Sequence, residues 1–141
     1  MRRANPGSTI LMKVHTFNEG DLAAEMDLIC GVPHFERLYI CLEGCKKGFM
    51  AGYRPIIGLD ACHLKTKSGG QLITVVARNL NEEYFPLMYA VVEAETKDSW
   101  TWFKNLLLAD IGQNTRWTFK SDQQKVCMFI IISICITILD V

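Results

Sequence analysis

Two aspartates close short apolar segments, and carboxylates in such positions are candidates for metal chemistry. Asp60 ends the run Arg54–Asp60, and Asp122 ends the run Arg116–Asp122. Two carboxylates held a few ångströms apart repel each other, and a divalent cation relieves that repulsion by sharing their oxygens. Mg²⁺ or Mn²⁺ would suit such a site, and a pair of ions can hold the attacking and leaving oxygens of a phosphodiester in line. Spacing alone is not specific, because aspartates at strand ends are more often turn or capping residues.

The elements that would bring these aspartates together are strands of one sheet. The run Arg54–Asp60 is predicted to be a buried strand that ends on its carboxylate. Lys65–Gly70 has the composition of a turn, and the β-branched residues of Leu72–Ala77 predict a second strand. Tyr84–Val92 is apolar on both faces and predicts a third. The three strands are expected to form a meander.

A helix is predicted between the third strand and a fourth. Thr96–Ser99 offers capping side chains, and Gly112 stands where a C-terminal glycine belongs. One helical face is marked by Trp100, Phe103, Leu107 and Ile111. A crossover helix of this length makes the fourth strand, Arg116–Asp122, parallel to the first. Both aspartates would then project from the C-terminal strand ends, where open α/β sheets build their sites.

Two further elements are predicted nearer the N-terminus. Thr9–Val14 is a candidate strand entering from a domain that the chain does not contain. A helix is predicted from Phe35 to Phe49, because apolar residues recur there at helical spacing. Pro33 precedes this segment and Gly52 follows it, which suits a helix start and stop.

Composition limits the kinds of function. The chain has 141 residues, half of them hydrophobic, which is enough for one domain with a core. Lys plus Arg and Asp plus Glu number 15 each, so there is no overall field to hold a polyanion and any DNA binding must be local. Possible DNA contacts are Lys65, Lys67 and Arg78, although a Lys-Thr-Lys turn is usually only a solvated loop.

Several conspicuous residues are given structural interpretations. The six cysteines lie scattered through apolar runs without a secretory leader, so we interpret them as reduced thiols, mostly in the core. Cys62 and His63 are not predicted zinc ligands, because no Cys-x-x-Cys pair accompanies them. Glu93 is expected to stabilise the fold, and neither it nor Glu95 is expected to act as a further catalytic acid. For the three tryptophans core packing is favoured over base stacking: Trp100, Trp102 and Trp117.

Several segments together resemble plant Mutator-like (MULE) transposases. They are Phe35–Leu42, Arg54–Lys65, Gly69–Leu72, Tyr89–Glu95, Asp98–Phe103 and Trp117–Lys125. The resemblance implies an α/β, ribonuclease-H-like mixed sheet, of which the β-β-β-α-β portion is present. It also implies a triad of two Asp and one Glu, in which Asp60 matches the first acid and Asp122 the second. The third acid, a Glu on a later helix, has no counterpart, so the domain is expected to be incomplete at its C-terminal side.

The resemblance divides the chain into three parts and implies a function. Residues 1–33 are a flanking segment, 34–125 a partial transposase domain and 126–141 a hydrophobic tail that does not look like the family's continuation. The implied activity is Mg²⁺- or Mn²⁺-dependent cleavage and transfer of DNA strands in the nucleus, acting on transposon ends and target. This copy is expected to be inactive. The sequence does not indicate an oligomeric state.

Two alternative functions remain open. One is a noncatalytic DNA or protein interaction module derived from a transposase. The other is a small membrane-associated protein that uses residues 126–139, although this stretch is shorter than the roughly 20 apolar residues of a spanning helix. Its β-branched and sulfur-containing residues, without charge or Pro, instead predict an aggregation-prone strand.

Overall fold

The protein forms one mixed sheet with helices on one of its faces. The computed structural model describes residues 5–16, 32–52, 55–78, 81–112 and 117–121. Within these ranges the elements are β1 (Thr9–Thr16), β2 (Pro33–Cys41), α1 (Glu43–Gly52), β3 (Ile56–His63), β4 (Gln71–Arg78), β5 (Tyr84–Val92), α2 (Lys97–Ile111) and β6 (Thr118–Ser121). The six strands lie in the order β1-β2-β5-β4-β3-β6. The prediction of an α/β mixed sheet is confirmed.

The β-β-β-α-β portion has the predicted topology. β3 pairs antiparallel with β4, and β4 pairs antiparallel with β5, which makes the meander. β6 returns beside β3 as a parallel strand after α2. The predicted cap of α2 is also present, since the Thr96 hydroxyl accepts a hydrogen bond from the Ser99 N–H at 3.1 Å. Gly112 follows the last residue of α2 with a positive φ of 84°.

The helix predicted from Phe35 to Phe49 is wrong over its first half. Residues Pro33–Cys41 form β2, and the helix begins only at Glu43. Burial alternates along β2, with Arg37, Tyr39 and Cys41 turned inward, which is the period of a strand. β1 and β5 bond to β2 on its two sides, so backbone pairing outweighs an apolar spacing that also fits a helix. Gly52, predicted to follow the helix, is the last described residue of α1.

The strand predicted at Thr9–Val14 is present as β1. It pairs antiparallel with β2 along its whole length, from Thr9 opposite Cys41 to Thr16 opposite Pro33. The register shifts once, between Lys13 and Val14. β1 is therefore the edge strand of the same sheet that contains β3 and β6.

The core lies between one face of the sheet and the two helices. Alternate residues of β2, β3, β4 and β5 are buried on that face together with residues of α1 and α2. The largest fully buried side chains among the described residues are Tyr39, Phe49, Phe103, Ile57, Ile73 and Leu87. The face of α2 that was predicted from its apolar spacing is buried as expected, with Trp100, Phe103, Leu107 and Ile111 each at most 2% exposed.

The opposite face of the sheet, which we call the open face, carries the other set of alternating residues. Leu72, Thr74 and Val76 of β4 are only half-buried, and Tyr89 of β5 is 44% exposed. Both described helices share the core on the other side. Within the described ranges no helix has both the length and the apolar character needed to cross a bilayer. The tail at 126–141 lies outside the described residues.

The turn between β3 and β4 depends on a glycine. Gly70 has a φ of 100°, and a Cβ at this position would lie 2.9 Å from the carbonyl oxygen of Val92. The Gly70 carbonyl also accepts a hydrogen bond from the Leu64 N–H at 2.9 Å, which closes the hairpin. Alanine would therefore be strained both in its backbone conformation and against a neighbouring strand that cannot easily move.

We expect Gly70→Ala to lower the free energy of unfolding by about 1 to 3 kcal/mol, measured by urea denaturation. The matched control is Gly44→Ala in α1, where an added Cβ meets nothing within 4 Å. That substitution is expected to be neutral or to stabilise by up to about 1 kcal/mol, because alanine favours a helix more than glycine does. Equal stability of the Gly70→Ala protein and the wild type would contradict the prediction.

Candidate functional site

Asp60 lies on the open face of the sheet, and its carboxylate is exposed. The prediction that the strand ends on Asp60 is wrong, since β3 continues to His63. The ladder with β4 explains the difference: it runs past Asp60, which pairs with Thr74, as far as His63 opposite Gln71. Asp60 therefore projects from the face of the sheet within the strand, and not from a strand end.

The parallel pairing of β3 and β6 was predicted and is described up to the residue before each aspartate. The register runs from Ile56 opposite Thr118 to Leu59 opposite Ser121. Leu59 is followed by Asp60, and Ser121 is followed by Asp122. Asp122 itself lies outside the described residues.

A cavity of about 600 Å³ opens beside Asp60. Its lining comes from β3, β4, β6 and the β4–β5 connection, and includes Gly58, Asp60, Val76, Arg78, Glu82, Tyr84 and Lys120. Gly58 lies between Val76 on one neighbouring strand and Lys120 on the other. Because glycine has no side chain, the cavity reaches down to the backbone of β3 at this point. The Asp60 carboxylate therefore shares the cavity with a second carboxylate, Glu82, and with the basic side chains of Arg78 and Lys120.

Arg78 is a fixed cation on the rim of this cavity. Its guanidinium donates hydrogen bonds to the Glu82 carboxylate at 2.9 Å and to the Tyr84 hydroxyl. It also lies 4.6 Å from the centre of the Tyr84 ring, a cation–π distance. The bond to Glu82, followed by the bond to Tyr84, raises the pKa of Arg78 above its already high usual value. The side chain is thus charged and oriented, although Glu82 offsets part of its charge.

The three predicted DNA contacts do not form one group. Arg78 lines the cavity with Asp60. Lys65 and Lys67 are exposed in the connection between β3 and β4, and neither belongs to the described lining of this cavity. Lys120, which the sequence reasoning missed, does line it. The available signal was the parallel register, which places Lys120 directly beside a glycine two residues before Asp60.

Glu93 and Glu95 are engaged on the side of the sheet away from Asp60. Glu93 forms an ion pair with Arg37 at 3.4 Å, and Glu95 accepts a hydrogen bond from the Gln71 amide at 3.1 Å. Arg37 and Gln71 are buried and belong to the helix-covered set of alternating residues. The structural role predicted for Glu93 fits this ion pair.

Cys62 and His63 point to opposite faces of β3, as neighbours in a strand do. The His63 ring lies 3.4 Å from the Gln71 amide nitrogen, and Cys62 is exposed. Among the described residues no group of three or more His, Cys, Asp or Glu side chains is placed to hold a metal ion.

The cysteines and tryptophans have mainly the predicted structural roles. Cys41 is buried, and burial raises the pKa of its thiol to about 12. Cys45 is half-buried and packs against the core, whereas Cys62 is exposed, so two of the three described cysteines have the predicted core position. Cys30, Cys127 and Cys135 lie outside the described residues. The tryptophans pack as expected: Trp100 is 2% exposed, Trp102 meets Tyr39 edge-on, and Trp117 lies 5.1 Å from Phe49.

Comparison with known proteins adds one finding to this geometry. The family model described as the MULE transposase domain matches residues 56–132, more than half of the chain. The matched range contains both Asp60 and Asp122, and it extends into the apolar segment that begins at Val126. No curated protein and no solved structure matches the chain.

Proposed function

The chain belongs to the MULE transposase domain family, and from this premise we propose that Asp60 and Asp122 bind divalent metal for cleavage and transfer of DNA strands. The observation that carries the proposal is the position of Asp60. Its exposed carboxylate lines a cavity on the open face, next to the parallel strand that leads into Asp122. We propose the nucleus as the compartment in which this activity takes place.

The pairing of β3 with β6 supports a shared site for both acids. Ser121 is the register partner of Leu59, and neighbouring strands lie about 4.8 Å apart. Asp60 follows Leu59 and Asp122 follows Ser121 in the sequence, so each acid comes directly after a member of the same register pair. Carboxylate oxygens are the ligands that Mg²⁺ and Mn²⁺ prefer.

The residues present fit such an ion, because Asp60 offers hard carboxylate oxygens in a cavity of about 600 Å³ that is open to solvent. When bound, divalent ions would supply charge stabilisation for the attacking and leaving oxygens. Asp60 and Asp122 would hold the metal, and Arg78 would present a positive charge to the phosphate oxygens. The resemblance assigns Asp60 and Asp122 to two of the family's three acids, so we propose that this chain by itself would bind metal without completing strand transfer.

The test is Mn²⁺ binding by titration calorimetry. The wild type is expected to bind Mn²⁺ saturably, and the Asp60→Asn, Asp122→Asn double variant is expected to lose that binding. Glu83→Gln, a neutralised carboxylate that does not line the cavity, is the matched control and should bind as the wild type does. Circular dichroism of each variant verifies that the fold is retained. Absence of saturable binding in the wild type, or equal binding in the double variant, contradicts the proposal.

A further inference from the structure

Lys120 lies on the same face of the sheet as Asp60. It is the register partner of Gly58 in the parallel ladder, and register partners in neighbouring strands present their side chains to the same face. Gly58 and Asp60 are two residues apart in β3, so they also share a face. Lys120 is exposed and lines the cavity together with Asp60. An ammonium group therefore accompanies the carboxylate on the open face.

Gly58 provides space between the neighbouring strands. A Cβ added at this position would lie 3.5 Å from the carbonyl oxygen of Val76, an ordinary contact, and Gly58 has no positive φ that would demand glycine. Neither the backbone conformation nor the packing therefore requires a glycine at position 58. Glycine inside a strand weakens it, and it often marks a point where a ligand or another chain approaches the backbone closely.

Basic groups stand on both sides of this gap. Lys120 is on β6, to one side of β3, and Arg78 is on β4, to the other side. Arg78 is hydrogen-bonded to Glu82 and Tyr84, so its guanidinium group is oriented before any ligand binds. Two cations that flank an open stretch of backbone suit an anion that extends across it, and a phosphodiester chain carries regularly spaced anionic oxygens.

We infer that Lys120 is a phosphate-positioning residue, which binds the phosphodiester backbone of a DNA strand lying over Gly58 and thereby holds that strand beside Asp60. The inference rests on the proposed function for the identity of the substrate. It adds one DNA-contacting residue to the proposed site and a direction for the bound DNA. The DNA strand crosses β3 between Lys120 and Arg78. The Lys65–Lys67 turn, which lies outside the described lining of the cavity, is not the principal phosphate contact.

The test is the salt dependence of binding to a fluorescently labelled 20-base-pair duplex, measured by anisotropy in Mg²⁺. Lys120→Gln is expected to weaken binding about equally for duplexes of different sequence, and to reduce the slope of log affinity against log salt by about 1. Lys120→Arg should restore the slope, since arginine also binds phosphate. Gly58→Val should weaken binding as well, because its side chain occupies the gap.

The matched control is Lys97→Gln, at the start of α2 on the other side of the sheet, which is expected to keep the wild-type slope. A Lys120→Gln slope equal to that of Lys97→Gln overturns the inference, as does a wild-type chain that binds no duplex. The Mn²⁺ titration separates the two proposals. If the double aspartate variant loses Mn²⁺ while Lys120→Gln leaves DNA binding unchanged, the metal site stands and the role of Lys120 fails.

Discussion

Asp110→Ala is expected to lower the free energy of unfolding by about 3 to 5 kcal/mol, since it leaves the half-buried Lys46 without its charge partner and the buried Tyr39 hydroxyl without its acceptor. Lys46 Nζ lies 2.5 Å from the Asp110 carboxylate, and the two side chains are only 17% and 9% exposed. The same carboxylate accepts hydrogen bonds from the Tyr39 and Thr9 hydroxyls, each at 2.7 Å. Burial, followed by the bond to Asp110, raises the pKa of Tyr39 well above its ordinary value, so the phenol remains a donor. Asp110 thus connects β1, β2, α1 and α2.

Urea denaturation of the Asp110→Ala protein measures this effect. Lys47, which follows Lys46 in α1, offers a matched control, because it forms an ion pair with Glu43 at 2.9 Å but is 75% exposed. Lys47→Ala is expected to change stability by no more than about 0.5 kcal/mol, as is usual for exposed pairs one helical turn apart. A loss for Asp110→Ala as small as that for Lys47→Ala would show that the buried network does not stabilise the fold.

Phe103→Ala is expected to cost about 3 to 5 kcal/mol, because it creates a cavity in the centre of the core. Phe103 is fully buried, and its ring packs against Tyr39 at 6.2 Å and Trp100 at 5.8 Å between centroids. The contact with Tyr39 of β2 attaches α2 to the sheet face opposite Asp60, whereas Trp100 lies in α2 itself. Loss of the helix would also remove the crossover that brings β6 beside β3, so Mn²⁺ binding should weaken at the same urea concentration at which the fold is lost.

The same substitution at an exposed phenylalanine is the control. Phe35 lies in β2 and is 47% exposed, so Phe35→Ala should change the free energy of unfolding by no more than about 0.5 kcal/mol. Both proteins are compared by urea denaturation at one protein concentration. Equal losses for Phe35→Ala and Phe103→Ala would contradict the assignment of the core to the helix-covered face.

Local sequence correctly predicted those helices and strands whose own residue pattern agrees with the contacts they make in the fold. β5 was predicted residue for residue, since an apolar segment bounded by polar connections suits a central strand. The N-cap at Thr96 and the apolar face of α2 were predictable because capping and helical spacing are local properties. The segment at Phe35–Cys41 was mistaken for helix, because its strand state depends on β1 and β5, which lie far away in sequence.

The sequence by itself indicated the candidate residues for the chemistry, Asp60 and Asp122, and the crossover that makes the two strands preceding them parallel. Only the tertiary structure decided where the groups stand. Hydrogen bonding to β4 extends β3 beyond Asp60 and turns its carboxylate to the open face. Pairing with β6 places Lys120 beside Gly58, and Glu82 and Tyr84 hold Arg78 on the cavity rim. Register and face depend on contacts between distant segments, and a one-residue shift in pairing would turn every side chain of the strand to the other face of the sheet.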